Sequence, residues 1–124
     1  MRKDKKLKAL RGAVNFTEDT VEEIDAKTEE LIGELILQND LSADEMVCVV
    51  FSLTSDITAA YPAVTFREKF VSSVPLFSCT EPNIKGGMPL TLRVMILHYG
   101  KKNNPVYLYE TKNLRKDLFY EYCD

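Results

Sequence analysis

Met46-Val47-Cys48-Val49-Val50-Phe51-Ser52 is the stretch that decides how this chain folds. Its β-branched residues favour a strand, and it shows no alternation of polar and apolar positions. A strand of that pattern calls for cover on both faces, as in a mixed or parallel sheet carrying helices. Upstream, Val21, Ile24, Thr28, Leu31, Ile32, Leu35 and Ile36 recur at helical intervals, and Thr20 followed by Glu23 has the spacing of a capping box. This helix is expected to fail around Gln38 to Asp40, with Ser42 to Glu45 forming one turn before the strand. Leu7 to Val14 reads as an opening strand that contains Arg11. The order β-α-β follows.

Downstream, Pro62 suits the first turn of a short helix reaching roughly Phe70, because its fixed φ and missing N–H are tolerated there. Val74 to Phe77 is a short strand candidate. Thr80 to Pro89, with two prolines and Gly86-Gly87, must be irregular. Leu90 to Tyr99 is a long strand candidate, and Gly100 to Asn104 supplies turn residues before a second strand, Val106 to Glu110. That pair reads as a hairpin. Asn113 to Asp124 has no clear period and either packs as a short helical tail or stays mobile. The fold class is α+β: one domain over residues 1–124, a mixed β-sheet with helices on the outside, a basic extension over 1–8 and a tail over 119–124.

A chain of 124 residues with 45% hydrophobic residues can build one core. It has little room for a deep private cleft, so a sizeable ligand site would gain from walls supplied by a neighbouring subunit. The net charge of −3 hides an asymmetry: Arg2, Lys3, Lys5, Lys6, Lys8 and Arg11 crowd the start, and Glu18 to Glu34 is strongly acidic. The basic arm lacks interleaved aromatics and includes Asp4, so it reads as a solvated tail, not a nucleic-acid surface. Cys48, Cys79 and Cys123 form no CxxC pair, and neither a disulfide framework nor a metal site is suggested. The longest apolar run, Met46 to Phe51, is far too short to span a bilayer. The cytoplasm is the expected address, with no membrane partner.

Among residues that could carry chemistry, Arg93 is the most informative, because Leu92, Val94, Met95, Ile96 and Leu97 surround it with apolar neighbours. A guanidinium there needs a partner. An ion pair with a carboxylate such as Glu81 and an anion-binding site are equally compatible with the spacing. Arg11 lies beside Gly12, whose missing side chain lets a ligand or a second strand approach closely; on composition alone it is a surface arginine of the basic arm. Glu81 taken alone is either a solvated turn residue, the commoner case, or a polar ligand contact, and Tyr107 in a strand is more often a core or interface ring than a ligand contact. His98 has no nucleophile beside it and is assigned a structural or surface role. Gly86-Gly87 matches neither a dinucleotide fingerprint nor a phosphate loop, so no cofactor is expected.

Arg11-Gly12-Ala13, Tyr61-Pro62-Ala63, Glu81, Gly86-Gly87, Arg93-Val94-Met95 and Val106-Tyr107-Leu108 occur in an order and at separations that resemble the AroH-class chorismate mutases. The resemblance runs from about Leu10 to Leu118, with a single-residue gap between Arg67 and Val74. It implies a homotrimer, a pseudo α/β-barrel with mixed sheets around the centre, helices outside and active clefts between adjacent subunits. The implied reaction is the rearrangement of chorismate to prephenate. By resemblance Arg11 and Tyr107 grip the carboxylate of the enolpyruvyl side chain, Arg93 reaches the ether oxygen, and Glu81 accepts from the ring hydroxyl. Tyr61, Ala63, Leu76, Phe77, Ser78 and Leu114 are implied as walls, with Arg67 and Arg115 near the cleft mouth. The sequence departs from the family pattern at Val64, where a lysine is usual, at Ser78 in place of cysteine and at Tyr61 in place of phenylalanine. A rival reading is a non-catalytic trimer that keeps the fold as a metabolite-binding or interaction module.

Overall fold

The computed structural model describes residues 5–119. Strand β1 (Lys6–Asn15) leads to helix α1 (Val21–Asn39), a 3-10 turn (Ala43–Glu45) and strand β2 (Met46–Leu53). Helix α2 (Pro62–Lys69), strands β3 (Leu76–Thr80), β4 (Thr91–Gly100) and β5 (Val106–Tyr107), a 3-10 segment (Tyr109–Arg115) and helix α3 (Lys116–Phe119) follow. The five strands form one mixed sheet in the order β3-β2-β4-β1-β5. Strand β4 is antiparallel to both β1 and β2, while β3 runs parallel to β2 and β5 parallel to β1.

α1 starts where the sequence signals it. The Thr20 side chain accepts from the Glu23 N–H at 3.2 Å. The reciprocal half of the capping box is absent: the Glu23 carboxylate turns to the Thr17 N–H at 2.8 Å and the Thr17 hydroxyl at 2.7 Å, with Lys27 also at 2.8 Å. The helix stops at Asp40, which adopts φ 50° and donates its N–H to the Ile36 carbonyl. Ile24, Leu31, Ile32 and Leu35 of α1 pack with Phe66 of α2 against Leu10, Val14, Val49, Phe51, Leu92, Val94 and Ile96 of the sheet. Burying such side chains stabilises by about 1.5–3 kcal/mol each. Phe51 and Phe66 meet edge to face at 6.0 Å.

Both long helices lie on one face. Val49 and Phe51 are buried beneath them, whereas Cys48, Val50 and Ser52 on the other face are half-buried. The expectation that β2 is covered on both faces is therefore not met by this chain alone: its run of apolar residues exceeds what its own helices cover.

Three further expectations are corrected. The segment from Val106 does not form a hairpin with the preceding strand; β5 crosses to the far side of β1 and pairs parallel to it, Gly12 opposite Val106 and Ala13 opposite Tyr107. It is also short, because Tyr109, at φ 58°, turns the chain into the 3-10 segment. The basic extension is not all solvated tail: Lys6 to Lys8 belong to β1, and Lys5 pairs with Glu45. Arg2, Lys3, Asp4 and the tail beyond Phe119 lie outside the described residues.

Gly12 settles what approaches its backbone. A Cβ there would lie 2.9 Å from Leu35 Cδ1 and 3.1 Å from the Val106 carbonyl oxygen, so α1 and β5 take the space and no ligand does. His98 is fully buried, with Nε2 3.4 Å from Asn103 Oδ1, in keeping with a structural role.

Candidate active site

Strand register assembles the open face. Residues opposite each other on paired strands point to the same side. One row across the sheet therefore reads Cys79, Ser52, Arg93, Ala13 and Tyr107, and the next contains Phe77, Val50, Met95 and Arg11. Arg11, Arg93 and Tyr107 thus share the face turned away from the helices. Apolar Leu7, Phe77 and Met95 stand exposed on that face around them.

Glu81 joins this group from the end of β3. Its N–H donates to the Leu53 carbonyl at 2.7 Å, prolonging the β2–β3 ladder by one bond. Its carboxylate Oε1 accepts from the Ser52 hydroxyl at 2.7 Å and meets Arg93 Nε at 3.3 Å. The loop that begins here is pinned at its far end, where the Asp56 carboxylate accepts the Leu90 N–H at 3.0 Å and holds Leu90 at φ 47°. Of the two readings of Arg93, the ion pair with Glu81 is present. Its nearest approach is through Nε, and the two terminal nitrogens of the guanidinium make no hydrogen bond among the described residues, which leaves their protons for an anionic or oxygen ligand.

The 3-10 segment after β5 returns the chain to this face. Tyr109 donates its hydroxyl to Glu30 at 2.6 Å, which raises its phenol pKa, and its ring lies under the Lys27 ammonium at 4.5 Å. Arg115 then makes a two-pronged bond to Asp117, Nε to Oδ1 at 3.0 Å and Nη2 to Oδ2 at 2.7 Å. That bond raises the Arg115 pKa, with a smaller contribution from Tyr107. Arg115 lowers the Asp117 pKa in turn, and Arg11 adds a weaker attraction. Arg11, Tyr107, Arg115 and Asp117 are therefore within electrostatic reach of one another.

The remaining site candidates lie elsewhere. Tyr61, the residue before α2, and Ser78 on β3 line a cleft of ≈ 510 Å³ together with Cys79, Thr80 and the loop from Leu53 to Ala60. Ser78 lies opposite buried Phe51, on the helix-covered side. Ala63 is buried in the core and Leu76 packs against that core, so neither lines the cleft. Arg67 is exposed on α2, and Leu114 is half-buried beside Arg115. The chain thus carries two separate groups: charged residues on the open face, and Tyr61 with Ser78 at the β3 edge.

Two residues of the open-face group are not among the site candidates that the sequence suggests. Ser52 closes an apolar run, and its hydroxyl was the available signal. Asp117 follows Arg115 by two residues, a spacing that means little until a turn folds one back on the other.

Residues 7–118 match the family model described as Chorismate mutase type I. The chain is 35% identical over 119 residues to the chorismate mutase AroH of Thermus thermophilus, covering 90% of this chain and 96% of that protein. It is 33% identical over 91 residues to the chorismate mutase AroH of Bacillus subtilis strain 168, covering 73% and 72% respectively. A solved chorismate mutase from Clostridium thermocellum superposes with a TM-score of 0.81 at 31% identity, covering 86% of this chain and 98% of that one. With nearly all of its described residues inside the match, the chain belongs to the type I chorismate mutase family.

Proposed function

We propose that this protein rearranges chorismate to prephenate, an isomerase step toward phenylalanine and tyrosine, in sites completed between subunits of a homotrimer. Family membership carries the reaction. The observation that supports the residue assignment is the Arg93–Glu81 contact on a face that also bears Arg11 and Tyr107.

The reaction breaks one C–O bond and forms one C–C bond within a single molecule, so it needs no nucleophile and no proton transfer. Catalysis then consists of holding the enolpyruvyl side chain over the ring and stabilising negative charge that develops at the ether oxygen. Arg11 and Tyr107 are assigned to the side-chain carboxylate, Arg93 to the ether oxygen and Glu81 to the ring hydroxyl. Arg67 and Arg115 supply a positive field that draws in the dianion and weakens with salt.

Two observations support the trimer. The open face exposes Leu7, Phe77 and Met95, whose apolar surface a neighbour would cover. Tyr61 and Ser78 line a cleft that Arg93 does not share, with Ser78 on the opposite face of the sheet, so they would wall the site of an adjacent subunit. A non-catalytic module gives no reason for Arg11, Glu81, Arg93 and Tyr107 to be kept together. The cytoplasm is the compartment proposed for this activity, in keeping with the free thiols of Cys48 and Cys79; among the described residues no helix is long and apolar enough to cross a membrane.

The test is loss of the chorismate diene absorbance with purified protein, with prephenate confirmed as product. A folded trimer without activity would favour the binding-module reading.

A further inference from the structure

Ser52 lies near the end of β2, and register puts it on the open face between Cys79 and Arg93. Its neighbours along that face, Val50 and Cys48, offer nothing polar to a carboxylate beyond a weak thiol. A serine hydroxyl has one proton to donate, and here it goes to Glu81 Oε1 at 2.7 Å. Arg93 Nε approaches the same oxygen at 3.3 Å. Oε1 is thus held by two donors, while Oε2 has no hydrogen bond among the described residues.

Glutamate has several rotatable bonds, and an untethered carboxylate spreads over many rotamers. The Glu81 backbone is fixed by its bond to the Leu53 carbonyl at 2.7 Å, but that leaves the head group free to swing. The shorter of its two head-group contacts comes from Ser52, a residue anchored in a paired strand. That contact holds Oε1 beside Arg93 and leaves Oε2 without a hydrogen bond among the described residues.

We infer that Ser52 is a positioning residue for the rearrangement: its hydroxyl orients Glu81 so that Oε2 faces the substrate hydroxyl and the terminal nitrogens of Arg93 stay free for the ether oxygen. The inference rests on the assignment of Glu81 and Arg93 to the reacting site. Ser52 itself does not touch the substrate. It acts as the support of a ligand-contacting group, the arrangement by which outer-shell hydrogen bonds fix reactive geometry.

The experiment compares Ser52→Ala, Ser52→Thr, Glu81→Gln and the double variant Ser52→Ala/Glu81→Gln in the full chain, with chorismate as substrate. Ser52→Ala is expected to lower kcat roughly ten-fold, the scale of a lost hydrogen bond to a charged group, and to move KM less. Ser52→Thr, which keeps the hydroxyl and suits a strand, should recover most of the rate. In the Glu81→Gln background, removing the Ser52 hydroxyl should lower kcat by less than about two-fold, because the two act as one unit. A wild-type kcat for Ser52→Ala, or losses that multiply in the double variant, would overturn the inference. Glu81→Gln at the wild-type rate would instead overturn the site assignment beneath it. An impaired Glu81→Gln beside an unimpaired Ser52→Ala removes Ser52 alone.

Discussion

Arg93 comes nearest to Glu81 through Nε, 3.3 Å from Oε1, and its terminal nitrogens make no hydrogen bond among the described residues. This gives the pair two roles at once. The carboxylate tethers the guanidinium, while the two nitrogens best suited to contact oxygens keep their protons uncommitted. The arginine side chain is 48% exposed in the single chain, so the contact orients the group without burying its charge.

Arg93→Ala is accordingly expected to lower kcat by roughly a hundred- to a thousand-fold, the usual loss when one preorganised donor to a developing oxyanion is removed. Arg93→Lys should do little better, since an ammonium on a flexible stem cannot reproduce the planar fork. Thermal midpoints measured alongside should change little in both. Near-normal turnover in either variant would remove Arg93 from the mechanism.

Asp117 occupies Arg115 through two hydrogen bonds and is attracted by Arg11, two cations assigned to the substrate dianion. Substrate must compete with this internal carboxylate. Asp117→Asn should therefore lower KM about two- to five-fold, the scale of an exposed ion pair, and the difference should shrink as salt rises. An unchanged KM at low ionic strength would show that the dianion does not meet this pair.

Acid stability should depend on Glu23, whose pKa is lowered from 4.5 to about 2, first by Lys27 and then by Thr17. A depressed carboxylate pKa contributes stability that is present above the unfolded value and lost as pH falls through the folded one. The window is therefore pH 4.5 down to about 2. For a side chain 20% exposed, about 2 kcal/mol is at stake. Glu23→Gln should unfold more readily at neutral pH and show a shallower loss across that window in denaturant titrations.

Gly12→Ala should impair both stability and turnover. The added carbon would lie 3.1 Å from the Val106 carbonyl and 2.9 Å from Leu35 Cδ1. The carbonyl cannot yield without moving β5, and Tyr107 moves with it. A loss of about 1–3 kcal/mol is expected from such overpacking. Urea midpoints and kcat, measured on the same preparation, should fall together.

Much of the fold was legible because it is local. The 3.6-residue period of α1, the apolar run of β2 and the turn signal at Gln38 to Asp40 each state their structure within a short window. The placement of β5 was not, because long-range hydrogen bonds decide it. Asn39 Oδ1 accepts the Asn104 N–H at 2.5 Å, Asn39 Nδ2 donates to the Asn104 carbonyl at 2.9 Å, and Asn103 Nδ2 reaches the Ala9 carbonyl at 3.2 Å. These bonds draw the turn after β4 across the end of β1, and the local sequence shows only residues suited to a hairpin. The site divides in the same way. Arg93 is visible as a charge among apolar residues, but Glu81 owes its place to a serine 29 positions earlier. Asp117 acquires a role only once the chain has turned at Tyr109.

In the homotrimer proposed above, the placement of Arg93 on the open face and Tyr61 beside the β3 edge would have a consequence for mixtures of damaged subunits. Take one variant crippled at Arg93 and another crippled at Tyr61→Asp, which sets a like charge against the dianion. Each alone is silent. Unfolded together and refolded, they should regain activity, because about a quarter of the clefts in randomly mixed rings would unite an intact arginine half with an intact tyrosine half. Two lesions in one polypeptide would spoil both clefts that polypeptide helps to form, whereas the same two lesions carried by different polypeptides would meet in one cleft and leave another intact.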